Sequence, residues 1–236
     1  AQQKVEGHNF DTRKHVLEYD DVLNKHRLTI YRKRREILDG GEKPTEEGVR
    51  PLRAKVVETL EKEVERLVAF HTAAEQVSGW ELDKLAESLQ ALIGAPEGIR
   101  ARLPELGEGE VEGEQLAQKR TEVIESLLVV VRERYQKLEE EVGNDVSMAE
   151  IERFVMLRSV DELWIEHLET MEHLRRGVNL QAYGQRDPLV EYKREAYHLF
   201  QELLANIQFR VAQTIFRVRI ARQIVEEATN SGLPPG

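Results

Sequence analysis

The stretch VDELWIEHLETMEHLRRGVNLQAYGQRDPLVEYKREAYHLFQELLANIQFRV, residues 160–211, decides the fold. Reading into it from upstream, Ile151, Val155, Val160, Trp164, Leu168, Met171 and Leu174 keep one apolar helix face through about Arg176. Gly177 then weakens the helix, because a glycine backbone loses more freedom on ordering than any other. The segment Asn179 to Arg186 reads as a loop. Asp187-Pro188 supplies an N-cap and a first-turn proline for a second helix. Its face is Tyr192, Ala196, Leu199, Leu203, Ile207, Val211, Ile215 and Val218. Two amphipathic helices joined this closely fold back as an antiparallel hairpin, whose protruding loop carries Tyr183. Trp164 reads as hairpin core. Helix periodicity does not explain a tyrosine in a polar, glycine-bearing loop, so Tyr183 reads as an interaction residue.

Far upstream, from about Asp11 to Asp39, Val16, Leu23, Ile30 and Ile37 recur at seven-residue spacing, with Leu17, Tyr31 and Leu38 beside them. This narrow stripe suits a long helix lying along partners, and Gly40-Gly41 and Pro44 stop it. Between about Glu42 and Asp145, breakers separate shorter helices. Pro51 opens one with Val56, Leu60, Val64, Leu67 and Val68 on a face. Leu82, Leu85, Leu89 and Leu92 mark another, ended by Gly94 and Pro96. The Gly/Glu-rich PELGEGEVEGE, residues 104–114, carries no cation and reads as a mobile acidic loop. Leu116, Val123, Leu127, Val131, Tyr135, Leu138 and Val142 then form a longer helix that closes a small bundle.

Composition agrees with an all-α chain of one large or two small domains. The 236 residues can bury a core, and 33% charged residues with 6% aromatics favour long solvated helices over sheets. A net charge of -10 argues against non-specific nucleic-acid binding, which needs a surplus of cations on the binding face. The basic runs Arg32 to Arg35 and Arg210, Arg217, Arg219 and Arg222 read as solvated helix faces. The absence of cysteine rules out a disulfide framework, a thiolate metal site and a thiol nucleophile. The longest apolar run, Leu127 to Val131, is far short of the roughly 20 residues that cross a bilayer. Ala1 to Glu6 reads as helix without a start signal and Gly232 to Gly236 as the start of a linker, so the sequence is expected to be a piece of a longer protein.

Enzymatic readings fail on particular residues. The chain contains no Gly-x-x-x-x-Gly-Lys-[Ser/Thr], and Gly107, Gly109 and Gly113 miss the Gly-x-Gly-x-x-Gly spacing by one. A carboxylate-bridged di-metal centre needs two Glu-x-x-His pairs, and only Glu195-x-x-His198 fits. His167 and His173 lie six apart, off a common ligand face, so the histidines read as exposed or capping. Runs such as Asp20-Asp21 and Glu139 to Glu141 point apart on a helix and read as solvated. No catalytic residue and no metal site follow.

The residues also resemble a known family. Asp161-Glu162-Leu163-Trp164, Glu166-His167-Leu168, Met171, Leu174-Arg175, Tyr183-x-Gln185-x-Asp187-Pro188 and Glu191-Tyr192-Lys193-Arg194-Glu195 resemble the C-terminal region of SecA, the bacterial protein-translocation motors. Separately, Ala1-Gln2-x-Lys4-Val5-Glu6-Gly7-x-Asn9-Phe10-Asp11-x-Arg13-Lys14 and Leu17-Glu18-Tyr19-Asp20-Asp21-Val22 resemble the start of that family's long scaffold helix. The match covers both ends well and the middle only by position.

The resemblance implies a first scaffold arm at 1–41, a helical wing at 42–145, a returning scaffold with its two-helix finger at 146–228, and the start of a C-terminal linker at 229–236. It implies that the two scaffold arms pack together across the wing. ATP and Mg would belong to motor domains outside this chain, which would be inactive alone, with no cofactor of its own, while regulating hydrolysis in the parent ATPase. Implied partners are the SecYEG channel, unfolded preprotein and the motor domains, without nucleic acid, in the bacterial cytoplasm and peripheral at the inner membrane; self-association is a separate expectation, from a hydrophobic face meant for the motors that dimerisation could bury. Tyr183 matches the finger-tip aromatic, with Gln181, Gln185 and Arg186 beside it in contact with preprotein or channel. Asp11 and Arg13 would couple to the motors, and Trp164, Leu168, Met171 and Tyr192 would form the finger core. The family tip usually reads Leu-Arg-Gly-Tyr-Ala-Gln, whereas here it is Leu180-Gln181-Ala182-Tyr183-Gly184-Gln185, which removes an arginine and shifts the glycine. A purely structural helical adaptor, in which Tyr183 is incidental, is the rival reading. A di-metal oxidase is a more distant one.

Overall fold

The computed structural model describes residues 2–40, 50–94, 99, 103, 113–143, 145–181 and 187–217, of which 2–16, 145–147 and 179–181 are described as backbone only. Among these residues there are six long helices and no strand. They are α1 (Gln2–Gly40), α2 (Pro51–His71), α3 (Leu82–Ile93), α4 (Glu114–Val142), α5 (Asp145–Gln181) and α6 (Pro188–Ile215), with one 3-10 turn at Val77–Gly79. The chain is all-α, as its composition and periodicity require. It divides into two compact units, one of Ala1–Asp39 and Met156–Ile207, the other of Gly40–Val155 and Gln208–Gly236.

In the first unit, α1 lies against α5 and α6. Ile30 and Ile37 of its heptad stripe are buried and Leu23 is partly so, but Leu17, Tyr31 and Leu38 are exposed. A residue one step beyond each stripe position lies about 100° away, whereas one three steps on returns to within about 60° of it. Tyr19 and His26 occupy that intermediate position and are the residues buried there. Tyr19, Met171, Val178, Leu189, Tyr192 and Ala196 form one apolar cluster, with Val22, Leu23, Leu174 and Leu199 packed on it.

Helix α5 runs through Gly177 to Gln181, so Asn179, Leu180 and Gln181 are helical and not loop. Glycine costs a helix about 1 kcal/mol, whereas burying a valine returns about 1.5 kcal/mol or more. Val178 is in the cluster, and its burial carries the helix past the weak point. The start of α6 follows the local signals. The Leu189 amide donates to Asp187 Oδ1 at 2.9 Å, and the Val190 and Glu191 amides donate to the Asp187 carbonyl.

In the second unit, Pro51 occupies the first turn of α2, whose Leu52, Val56, Leu60, Val64, Leu67 and Val68 are buried. A Cβ on Gly40 would lie 3.2 Å from Leu52 Cδ2, a close approach that suits glycine at the end of α1. Helix α3 buries Leu85, Leu89 and Leu92 and stops at Gly94, where φ is +67°. Helix α4 buries Leu116, Val123, Leu127, Val131, Tyr135 and Leu138, and Gly143 ends it in the left-handed region at φ +80°. Arg120 donates to the Thr72 and Ala74 carbonyls at 2.9 and 3.1 Å and lies over the Trp80 ring, fixing the link between α2 and α3. The acidic stretch read as a loop lies outside the described residues, apart from its last two positions.

Candidate interaction site on the α5 and α6 pair

The chain leaves along α5 and returns along α6, and the residues that hold this pair to α1 lie at three levels of the first unit. At the first, Arg34 grips Asp161 with both donors of its fork, Nε to Oδ1 at 2.9 Å and Nη2 to Oδ2 at 3.4 Å. At the second, His26 Nδ1 meets His167 Nε2 at 3.2 Å. His26 stacks on Phe200 of α6 with centroids 4.1 Å apart and planes 9° apart, and His167 stacks on Trp164 at 5.6 Å. At the third, the Tyr19 and Tyr192 rings meet edge to face at 4.6 Å, and Arg175 reaches Glu172 at 3.3 Å and Asp20 at 3.8 Å.

Burial governs the electrostatics of this seam. His167 is pulled down to about 4, first by burial and then by the charge of His26, and burial also lowers His26. The Tyr192 hydroxyl is pushed up to about 12, mainly by burial and further by Asp20, Tyr19 and Glu172, while Arg175 opposes the shift. Tyr19 is raised by burial and then by Asp187. At neutral pH all four rings are therefore uncharged. Among the described residues, no three of His, Cys, Asp and Glu gather as a metal site. The arrangement offers stiffness and packing, not proton transfer.

Of the residues singled out in the sequence, Trp164, Met171 and Tyr192 are buried and Leu168 is half-buried. Tyr183, Gln185 and Arg186 lie outside the described residues. Gln181 is the last residue of α5, and Asp11 and Arg13 lie within α1, all three in stretches described as backbone only.

Two groups of residues were misread or missed. The histidines expected to be exposed or capping include His26 at 7% exposure and His167 at 5%, both buried. The signal was present, since His26 stands three residues after Leu23 and four before Ile30. In the second unit, Glu139 is not solvated. It is bound by Arg50 and by Arg53, the latter with Nε to Oε1 at 2.7 Å and Nη2 to Oε2 at 3.0 Å. Beside it Tyr135 donates to the fully buried Glu152 at 2.5 Å, and Arg50 Nη1 lies 3.6 Å from the same carboxylate oxygen. Glu152 shares a helical face with the buried Val155, Met156, Ser159 and Leu163, which marked it as an inward carboxylate.

Comparison with known proteins adds to this geometry. A family model described as the SecA wing and scaffold domain matches residues 1–219. A protein translocase subunit SecA of Dehalococcoides mccartyi (strain CBDB1) is 40% identical over 232 residues, 98% of this chain and 22% of the relative. That of Pelotomaculum thermopropionicum is 43% identical over 224 residues, 94% of this chain and 23% of the relative. That of Thermodesulfovibrio yellowstonii is 35% identical over 223 residues, 94% of this chain and 22% of the relative. The chain thus spans between a fifth and a quarter of the length of these relatives.

Proposed function

The chain belongs to the SecA wing and scaffold domain family, and from that membership we propose that it is the part of a protein-translocating motor that carries nucleotide-driven motion to a preprotein. The α5 and α6 pair would be the two-helix finger, entering the cytoplasmic mouth of the SecYEG channel with Tyr183 at its tip. Gln181, Gln185 and Arg186 would flank the contact, and an aromatic there offers apolar area and a hydroxyl to any passing sequence, gripping without selecting. Helix α1, through Asp11 and Arg13, would receive the motion of the motor domains and regulate their hydrolysis in return. The scaffold would comprise 1–41 and 146–228, the wing 42–145, and a linker would begin at 229.

ATP and Mg would be held by those other domains. The sequence here has no phosphate-cradling loop, so no step of hydrolysis is assigned to this chain. Among the described residues no helix is long and apolar enough to cross a membrane, which fits peripheral attachment at the cytoplasmic side of the inner membrane.

The observation that supports this reading best is the three-level seam of α1 on α5 and α6, which lies within one compact unit of Ala1–Asp39 and Met156–Ile207. A lever needs that stiffness. Tyr183→Ala in the full-length protein, assayed with SecYEG vesicles, ATP and an unfolded preprotein, is expected to slow transport about tenfold, equivalent to about 1.4 kcal/mol of lost contact. Unchanged transport would assign the chain to a structural adaptor.

A further inference from the structure

We propose that the contact between His26 and His167 is an acid-sensitive latch, which holds α1 against α5 and α6 at neutral pH and opens as the surroundings acidify. It rests on the position of the two rings within the first unit and does not depend on a translocation role.

The geometry admits only limited protonation. Two nitrogens 3.2 Å apart share one hydrogen, one donating and the other accepting. With both rings protonated, both facing nitrogens become donors, and two like charges confront each other in a site almost closed to water. The surfaces against the rings are aromatic, Phe200 from α6 and Trp164 from α5, and neither can accept a hydrogen bond from an imidazolium as a carboxylate does.

Several charged groups along the three helices are paired with one another or exposed. On α1, Lys25 pairs with Asp21 at 2.7 Å, Arg34 with Asp161, and Arg27 is half-buried and of the wrong sign to stabilise a second cation. On α5, Glu162 pairs with Arg158 at 2.6 Å, Glu172 with Arg175 at 3.3 Å, and Glu166 is exposed. On α6, Glu195, His198 and Glu202 are exposed. The charge acting on His167 is that of His26 itself.

The sign follows from proton counting. In the unfolded chain both histidines take up protons near pH 6.5, whereas the folded His167 resists until about pH 4. Between these values the unfolded state binds more protons, so stability is complete above about pH 6.5 and falls as the pH drops toward 4. From the His167 shift alone, lowering the pH from about 7.5 to about 5 raises the unfolding constant about thirtyfold.

The test compares urea unfolding of the full chain at those two pH values with that of the double variant His26→Gln and His167→Gln, whose amides keep hydrogen-bonding capacity without titrating. The expected result is the thirtyfold rise in the natural chain and a rise at least about fivefold smaller in the double variant. Equal rises overturn the proposal. Should the double variant not fold, NMR titration of His167 in the natural chain decides. A midpoint below about pH 5 supports the latch, and one between about 6 and 7 overturns it.

Discussion

Arg50→Met is expected to destabilise the second unit by about 3–5 kcal/mol, the cost of breaking a buried ion pair from one side. Arg50 stands immediately before α2 at 4% exposure, with one end of its fork on Glu139 of α4 and the other 3.6 Å from Glu152 of α5. Glu152 is fully buried, and its neighbour Tyr135 donates to it from α4. Burial, then the charge of Glu152, drives the Tyr135 hydroxyl well above its ordinary range, so it remains a donor. Removing the guanidinium takes away a cation that faces this fully buried carboxylate, to which Tyr135 still donates. Adding Glu152→Gln to Arg50→Met removes the stranded charge and is expected to restore more than half the loss. Urea midpoints of the two variants, read with an unchanged slope, check both statements. A loss below about 1 kcal/mol for Arg50→Met would show that Glu152 does not depend on this arginine.

Tyr192→Ala is expected to cost about 3–5 kcal/mol in the first unit. The side chain is 2% exposed, lies in the cluster that joins α1, α5 and α6, and meets Tyr19 edge to face. Truncation removes the ring contact, worth about 0.5–1.5 kcal/mol, and opens a cavity among Met171, Val178 and Leu189. Tyr192→Phe keeps the ring and is expected to cost less than about 1 kcal/mol. The contrast separates packing from the hydroxyl. A calorimetric scan in which both variants melt together would remove the cluster from its place as the clasp of the seam.

Much of the fold was legible because its punctuation is local. Pro51, Gly94 and Asp187-Pro188 act on their own backbone, and each sits at a helix end in the structure. The faces of α2, α4 and α6 were legible because burial there follows the 3.6-residue period with ordinary apolar residues. Where a buried or half-buried position carries a polar residue, that rule fails. His26, His167, Glu139 and Glu152 are acceptable inside only because a partner on another helix satisfies them, and such a partner is invisible along one stretch of chain. The end of α5 was misplaced for a related reason, since Val178 shares a cluster with Leu189 and Tyr192 of α6, beyond the reach of glycine propensity. Of the candidate site, Trp164, Met171 and Tyr192 stood out by spacing alone, whereas the significance of Tyr183 came from its setting in a polar loop and from the family resemblance.

The most direct measurement places a photo-reactive side chain at position 183 of the full-length protein while an unfolded preprotein is halted in the channel. The account predicts ATP-dependent crosslinks from 183 to the preprotein or channel, and none from the same group at the buried position 164. Crosslinks absent from 183, or found only within the chain itself, would contradict it.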